Sequence, residues 1–249
     1  MARNVLISGS SSGIGRATAL RFAREGWNVG LLARREHLLQ ELLNVLPAGD
    51  HFLCAGDYAD PATIQRLEEQ IRQTWRGLDV LVNCAGVFQP VDALADPLDE
   101  WRASFNTMVN GALCLSRLAA RYMTNGGRII HITSIHGERA ERGASAYSMA
   151  KAAINQLCRA LALELAGRGI LVNAIAPGFV DTPMSIVNGV NELESEWFRR
   201  NYVEGHHLPL RRAARPEEIA GVAYFLAGPD ATYITGQVLT VDGGLTITF

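Results

Sequence analysis

Short apolar runs alternate along the chain with longer segments in which apolar residues recur at helical spacing. Such alternation is typical of β-α-β units, in which helices cover both faces of a parallel sheet. We therefore predict an α/β fold with a doubly wound, seven-stranded parallel sheet, forming a single domain over residues 1–249. The predicted strands are Asn4–Ser8, Asn28–Ala33, His51–Ala55, Leu78–Asn83, Arg128–Thr133, Ile170–Ile175 and Gln237–Val241.

Two of the predicted helices begin with clear sequence signals. Asp60 is suited to cap a helix and Pro61 to occupy its first position, and Ile64 and Leu67 follow at helical spacing. Pro216 and the acidic pair that follows it predict a second helix near the C-terminus, because acidic side chains stabilise the N-terminal end of a helix dipole.

Residues 183–212 lack this alternation and mix aromatic, charged and small residues. They directly follow a predicted strand, and ligands of doubly wound sheets bind beyond the carboxyl ends of the strands. We therefore predict a short substrate lid over about residues 183–212, with Met184 and Trp197 as candidate substrate contacts. A surface excursion, or a helical pair packed on a partner subunit, is the alternative.

Composition and charge argue against several other classes of protein. The 249 residues carry a formal net charge of -2 without a run of like charges, so we expect no nucleic-acid partner. No apolar run approaches the roughly 18 residues of a membrane span, so we expect no membrane insertion and a cytoplasmic location. The four cysteines have no CxxC spacing, which is typical of buried thiols in a reducing compartment. No group of potential ligands has metal-binding spacing, so we expect no metal.

A glycine-rich loop follows the first predicted strand and precedes a helix. Its spacing is G-x-x-x-G-x-G, and its glycines allow backbone N–H groups to approach a pyrophosphate at the helix N-terminus. A tight turn without a ligand is the alternative, but the position between a strand and a helix predicts a dinucleotide site in a Rossmann fold. The candidate cofactor contacts in this loop are Gly9, Ser11, Ser12, Gly13, Ile14 and Gly15.

The end of the second predicted strand indicates which dinucleotide binds. An acidic residue there would accept a hydrogen bond from the ribose 2′-hydroxyl of NAD. Ala33 occupies this position instead, and Arg34 and Arg35 follow it. Because guanidinium groups match the geometry of a phosphate, we predict NADP (NADPH) rather than NAD. Two solvated arginines at the start of a helix are the alternative.

A tyrosine and a lysine four residues apart stand in a segment with catalytic character. Tyr147-Ser148-Met149-Ala150-Lys151, with Ser134 thirteen residues before the tyrosine, resembles the active site of the short-chain dehydrogenase/reductase family. Six blocks in matching order extend this resemblance over nearly the whole chain. Besides this segment and the glycine loop they are Asp57, Asn83–Gly86, Pro177–Thr182, and Tyr233–Gln237 with Val241–Gly244.

The chemistry of a proton transfer explains the spacing within this segment. Residues at positions i and i+4 share one helix face, so Tyr147 and Lys151 project together. A free tyrosine has a pKa of about 10, and a nearby ammonium and an oxidised nicotinamide would lower it towards neutrality. Ser134 can hydrogen-bond the substrate oxygen. We therefore expect Ser134, Tyr147 and Lys151 to be catalytic; a solvated pair on a helix is the alternative for the last two.

The resemblance also implies cofactor contacts outside the glycine loop. Tyr147 and Lys151 would contact the nicotinamide ribose, and Thr182 with the backbone near Val180 would hold the carboxamide. The remaining contacts implied at the strand ends are Asp57, Tyr58, Asn83, Ala85, Gly86, Pro177 and Gly178.

The implied activity is an NADP(H)-dependent oxidoreductase that interconverts a carbonyl and a secondary alcohol. The pattern resembles 3-oxoacyl-[acyl-carrier-protein] reductases and sugar or polyol dehydrogenases equally. The resemblance further implies a homotetramer, built through paired long helices and the C-terminal strand. A non-catalytic dinucleotide sensor, or a partner protein on the same fold, is the alternative.

One position departs from the family pattern. The family usually has an asparagine seven residues after a tryptophan on the long helix, where it supports a water in the proton relay from the lysine. Counting from Trp101 reaches Met108, and on a regular helix Asn106 and Asn110 point elsewhere. We therefore predict an active enzyme with altered proton delivery.

The loop after Ser134 holds weaker candidates. His136 is a candidate substrate contact, with an exposed loop histidine as the alternative. The charged run Arg139–Arg142 is predicted to be a solvated loop rather than a contact for an anionic substrate, and His131 is predicted to be structural.

Overall fold

Strands and helices alternate along the computed structural model, which describes residues 2–88, 90, 93–94, 97–124, 126–187 and 189–248. The strands are β1 (Asn4–Ser8), β2 (Asn28–Ala33), β3 (Phe52–Ala55), β4 (Val80–Asn83), β5 (Gly127–Ile132), β6 (Ile170–Pro177), β7 (Ile186–Val187), β8 (Val190–Asn191) and β9 (Val238–Val241). The α-helices are α1 (Gly13–Arg24), α2 (Glu36–Val45), α3 (Pro61–Thr74), α4 (Leu98–Phe105), α5 (Gly111–Tyr122), α6 (Ser145–Leu165), α7 (Glu196–Phe198) and α8 (Pro216–Ala227).

Seven parallel strands of the described chain form one sheet in the order β3-β2-β1-β4-β5-β6-β9. The order reverses at β1, which pairs with β2 on one side and β4 on the other, and Ser8 stands opposite both Leu32 and Asn83. Such a reversal opens a crevice at the carboxyl ends of the strands. The predicted doubly wound sheet is therefore confirmed, and its crevice lies directly after β1.

Successive side chains of the strands point to opposite faces of the sheet, and both faces are buried. Leu6 and Leu81 pack with α3, α5 and α6, whereas Val5 and Ile7 pack with α1, α2 and α8. All four side chains are fully buried. Because both faces are covered, the strands consist of nearly continuous apolar runs, which is the pattern that predicted them.

The predicted helix starts are confirmed. The Asp60 side chain accepts a hydrogen bond of 3.1 Å from the Ala62 N–H, and Pro61 occupies the first position of α3. Pro216 begins α8. The observed strand limits differ from the predicted ones by two residues at most, and the longest extension is in β6, where Pro177 still pairs with Val241.

A π-helical segment, Asn106–Asn110, joins α4 to α5. A π turn contains one more residue than an α turn and changes the direction of the side chains that follow. The regular register that we counted from Trp101 therefore does not hold through Met108.

Residues 183–212 form an excursion without a strand of the main sheet. It contains a 3₁₀ turn (Pro183–Ser185), the antiparallel pair β7 and β8, a second 3₁₀ turn (Glu192–Glu194), and α7 followed by a π-helical segment (Arg199–Glu204). Tyr202 of this segment packs on Phe179 at 4.7 Å and on Phe198 at 5.3 Å between ring centroids. Among the described residues, no helix is long and apolar enough to cross a membrane.

Candidate active site

A cleft opens at the carboxyl ends of β1, β2 and β4, where the sheet order reverses. Helix α1 begins at its edge with Gly13, and Ser12 precedes the helix in an extended conformation. Within the described chain the Ser12 side chain makes no capping hydrogen bond, so the first-turn N–H groups of α1 are left for another acceptor. The lining residues are Gly9, Ser11–Gly15, Leu32–Arg35, Gly56–Tyr58, Cys84–Val87, Thr107 and Thr182–Met184.

Two glycines of the loop are required by close backbone contacts. Gly9 has a φ of +66°, and a Cβ there would lie 2.9 Å from the backbone of Ala85. A Cβ at Gly15 would lie 2.3 Å from the Gly9 carbonyl oxygen. The loop therefore closes tightly against the next strand end, which turns its N–H groups towards the cleft.

Gly86 leaves space at the opposite wall of the cleft. A Cβ at this position would lie 3.4 Å from Lys151 Nζ and 4.0 Å from Met184 Cε. A side chain there would fill the space between these two groups. The cleft thus has an uncapped helix N-terminus that can bind a phosphate and an empty space beside Lys151. These two features fit a dinucleotide.

Arg35 is held against the glycine loop. Its Nη2 donates hydrogen bonds of 2.9 Å to Ser11 Oγ and 2.8 Å to Ser12 Oγ. Burial and the Asp57 carboxylate raise the pKa of the Tyr58 phenol. Arg34 lies close enough to Tyr58 to oppose this rise. Both guanidinium groups thus line the end of the cleft beside β2.

The three predicted catalytic residues meet at the cleft edge beside Gly86. Ser134 lies close enough to the Tyr147 hydroxyl to lower the pKa of that phenol, and Lys151 Nζ lies 5.4 Å from the centre of the Tyr147 ring. Lys151 Nζ donates a hydrogen bond of 2.9 Å to the Ile132 carbonyl oxygen at the end of β5. Helix α6 presents Tyr147 and Lys151 on one face, as their spacing predicted.

Burial dominates the acid-base properties of this group. Desolvation raises the pKa of Tyr147 to about 12, and the hydrogen bond with Ser134 opposes the rise. Desolvation lowers the pKa of Lys151 to about 8, and the Cys84 thiol opposes the fall. We expected Lys151 and an oxidised nicotinamide together to lower the pKa of Tyr147. The protein groups by themselves raise it, because the cost of burying a phenolate outweighs the effect of Ser134.

Two rings flank Tyr147. Phe88 contacts it edge-on with 5.4 Å between ring centroids, and His136 does so at 5.8 Å. His136 Nε2 pairs with Glu141 Oε2 at 3.1 Å. The structure therefore places His136 beside the predicted catalytic residues.

Met184 and Trp197, the other two candidate substrate residues, differ in their positions. Met184 lines the cleft. Trp197 is 60% exposed, packs on Tyr202 at 5.3 Å, and does not line the described part of the cleft. Only the first of the two is thus placed next to the cofactor cleft.

Several predicted cofactor contacts lie outside the lining of the described cleft. Asn83 is buried beneath it, where its Oδ1 accepts a hydrogen bond of 2.5 Å from Ser8 Oγ. Gly178 packs against Asp242, and Val180 is buried and pairs with Ala214. Pro177 ends β6 and is also absent from the lining. For Asn83 the direction of the side chain decides the outcome, and strand limits alone do not reveal that direction.

The position of Met108 is fully buried. It packs with Ala112, Ala150 and Ile154, and the Tyr147 ring borders this apolar cluster. Asn106 and Asn110 are exposed and bonded to each other, so neither takes its place. Thr107 belongs to no motif of the sequence, and it lines the cleft from the same π-helical segment.

A buried polar chain beneath the cleft was also missed. The ring of His131 is fully buried, with Nδ1 3.4 Å from Asn83 Nδ2 and Nε2 3.4 Å from Ser116 Oγ. Burial and the Lys151 charge lower the pKa of His131 to about 4. The described residues contain no group of three or more metal-ligating side chains.

Comparisons with known proteins agree with this geometry. A family model described as enoyl-(acyl carrier protein) reductase matches residues 9–246. Glucose 1-dehydrogenase of Gluconobacter oxydans is 38% identical, and the match covers 98% of this chain and 92% of that protein. The 3-oxoacyl-[acyl-carrier-protein] reductase of Thermotoga maritima is 34% identical, with 97% of each chain covered. The structure of L-sorbose reductase from Gluconobacter frateurii, complexed with NADPH and L-sorbose, superposes with a TM-score of 0.89 at 32% identity, covering 100% of this chain and 98% of that one.

Proposed function

The chain belongs to the short-chain dehydrogenase/reductase family and is an oxidoreductase for alcohol or carbonyl groups, and we propose that Tyr147 exchanges the proton with the substrate oxygen. The observation that carries this proposal is the convergence of Ser134 and Lys151 on Tyr147: Ser134 lies close enough to lower the pKa of the phenol, and Lys151 Nζ lies 5.4 Å from the ring centre, on the same helix face. In the reductive direction, a hydride and a proton convert the C=O group into CH–OH.

A nicotinamide dinucleotide, when bound, supplies or accepts the hydride. The uncapped end of α1 and the loop Gly9–Gly15 would hold its pyrophosphate. Lys151 and Thr182 would hold its nicotinamide half, and Gly86 leaves the space for it.

The protein groups suit proton donation by Tyr147. Because burial raises the pKa of Tyr147 to about 12, the phenol is protonated near neutrality and can donate to an oxygen that gains negative charge. The Ser134 hydroxyl would turn its single O–H towards the substrate and donate a hydrogen bond to the same oxygen. The charge of Lys151 stabilises the phenolate that the transfer leaves behind.

We further propose that NADP(H) is preferred over NAD(H). The Arg35 guanidinium lies over the Ser11 and Ser12 hydroxyls, so these three groups and Arg34 would surround a phosphate on the adenosine ribose. Ala33 contributes no carboxylate to repel that phosphate. The similar L-sorbose reductase is described as a complex with NADPH.

The substrate is proposed to be a small carbonyl compound or secondary alcohol. The names of the similar proteins include a sugar dehydrogenase, a ketose reductase and a 3-oxoacyl reductase. We propose that the excursion at 183–212 acts as a lid. Its Met184 lines the cleft and would contact the substrate, and Trp197 would reach the cleft only after a movement of this lid.

A cytoplasmic homotetramer remains our proposal for the assembly and location. Leu113 of α5 and Met149 of α6 are large apolar side chains that are 37% and 53% exposed, and contact with another copy would bury them. Light scattering should give a mass four times that of the chain.

The test of the catalytic proposal is Tyr147→Phe. With a panel of ketones and aldehydes, the wild type should consume NADPH, and the variant should lose about 10²–10⁴-fold in kcat while it still binds NADPH. Tyr233→Phe, a change at a fully exposed tyrosine, is the matched control and should keep full activity. Binding of NADPH without turnover of any carbonyl by the wild type would instead indicate a dinucleotide sensor.

A further inference from the structure

The loop after β5 fixes His136 beside Tyr147. Ser134 Oγ accepts a hydrogen bond of 3.2 Å from the His136 N–H and so begins a 3₁₀ turn, Ile135–Gly137. The imidazole then meets the Tyr147 ring edge-on, with 88° between the ring planes. A substrate whose oxygen is held by Ser134 and Tyr147 would therefore have His136 beside it.

The two flanks of Tyr147 differ in polarity. On one flank is Phe88, which offers no hydrogen bond. The other is His136, which carries the carboxylate of Glu141 on its Nε2 at 3.1 Å. The flank of His136 is therefore the polar side of Tyr147.

Glu141 has the capacity to accept a further hydrogen bond. Glu141 Oε2 pairs with His136 Nε2, and the Glu141 side chain is 55% exposed, so the carboxylate is accessible to a ligand. Burial lowers the pKa of His136, and the Glu141 carboxylate opposes this change. Because the lowered pKa favours the neutral imidazole, the ring does not neutralise the negative charge of Glu141. His136 Nδ1 is covered and has no hydrogen-bond partner among the described residues, which fits a ring that donates from Nε2.

The carboxylate also faces the excursion at 183–212. Burial raises the pKa of the Tyr202 phenol, and the charge of Glu141 raises it further. The Glu141 and Tyr202 side chains therefore lie close enough to interact electrostatically. The neighbouring Arg139 donates to the Thr246 carbonyl oxygen at 3.2 Å and is thereby directed away from Glu141. Glu141 thus stands between the catalytic loop and the proposed lid.

We propose that Glu141, oriented by His136, accepts a hydrogen bond from a substrate hydroxyl on the carbon next to the reacting carbonyl. The substrates are then neutral α-hydroxy carbonyl compounds, and the corresponding vicinal diols in the oxidative direction. A compound without this hydroxyl cannot make the hydrogen bond to Glu141 and is therefore a poorer substrate. This inference rests on the proposed function and assigns its substrate class.

A matched pair of substrates tests the assignment. The ketones 3-hydroxy-2-butanone and 2-butanone share one carbon skeleton and one reacting carbonyl, and they differ only in the neighbouring hydroxyl. The wild type should have the higher kcat/KM for the hydroxyketone. Glu141→Gln should lower kcat/KM for 3-hydroxy-2-butanone by at least about tenfold, which is the value of a hydrogen bond to a charged group. It should change kcat/KM for 2-butanone by less than about twofold.

Glu138→Gln is the matched control, because Glu138 is an exposed acid of the same loop whose ion pair is with Arg159 at 3.9 Å. It should leave both values unchanged. If Glu141→Gln does not fold, as judged by circular dichroism and NADPH binding, then Glu141→Asp replaces it and should reduce the same preference.

The outcomes separate this inference from the proposed function. Equal kcat/KM of the wild type for the two ketones, or an equal loss for both in the Glu141 variant, would overturn the assignment while the oxidoreductase function stands. No turnover of any carbonyl by the wild type would overturn the proposed function, and the assignment with it.

Discussion

Asn83 Nδ2 lies 3.4 Å from His131 Nδ1, in a buried position beneath the cofactor cleft. The Asn83 Oδ1 atom accepts from Ser8 Oγ, and Ser8 Oγ accepts from the Ala85 N–H at 3.3 Å. On its other side, His131 Nε2 lies 3.4 Å from Ser116 Oγ of α5. A chain of side chains thus connects α5 to the cleft wall at Ala85, and Asn83 acts on the cleft from below.

Acid should weaken the fold through His131. Its pKa is about 4 in the folded chain, below its ordinary value of 6.5, because its burial disfavours the charged ring. The unfolded chain therefore binds a proton that the folded chain does not, and the free energy of unfolding decreases as the pH falls from 6.5 towards 4. The full contribution is about 3 kcal/mol, and urea unfolding at several pH values measures it.

His131→Asn isolates this contribution. The difference in the free energy of unfolding between the wild type and the variant should decrease by about 2–3 kcal/mol from pH 7 to pH 4, because only the wild type loses the His131 contribution. All other titrating groups are the same in both proteins, so their effects cancel in this difference. His37→Asn is the control at an exposed histidine and should show no such trend. A difference that is constant with pH for His131→Asn would show that folding does not change the pKa of His131.

Lys151 can be titrated directly, because it is the only lysine in the sequence. Burial lowers its pKa to about 8, whereas an exposed lysine titrates near 10.4. Carbon-13 labelling of lysine should therefore give one side-chain Cε signal with a midpoint near pH 8 for the chain without cofactor. A midpoint above pH 10 would contradict the burial of this ammonium group. Unfolding in urea is the control and should move the midpoint to the ordinary value.

Arg35 should select the cofactor. Arg35→Ala removes the guanidinium that bonds Ser11 and Ser12, so kcat/KM with NADPH should fall by about 10–100-fold, as expected for a lost charge-assisted contact. The value with NADH should change by less than about threefold, because NADH carries no 2′-phosphate. Arg24→Ala, at the exposed end of α1, is the control. A higher kcat/KM of the wild type with NADH than with NADPH would refute the preference.

Much of the fold follows from the sequence, for identifiable physical reasons. The strands buried on both faces have continuous apolar runs, so their limits were predicted to within two residues. The glycine loop was predicted because Gly9 and Gly15 must allow close backbone contacts. These features depend on local residue types, which the sequence states directly.

The parts that escaped prediction depend on side-chain direction or on helix irregularity. Asn83 ends its strand as predicted, but its side chain turns beneath the cleft. The π turn at 106–110 has no signature in the spacing of apolar residues, and it brings Thr107 to the cleft. Glu141 was expected to be solvated, and only the fold reveals its pairing with His136.

Met108→Asn tests the altered proton delivery. Met108 is fully buried in an apolar cluster that borders Tyr147, so an asparagine there would stand at the position usual for the family but would have to recruit water for its hydrogen bonds. The variant should lose about 1–3 kcal/mol of stability through its buried amide, and Met108→Leu, the control of similar volume, less than about 1.5 kcal/mol. If Met108 marks a lost relay point, the pH profile of kcat should change in Met108→Asn, with a gain at alkaline pH where protons are scarce, and should not change in Met108→Leu. Identical profiles in the wild type and both variants would mean that protons reach Lys151 by a route independent of residue 108.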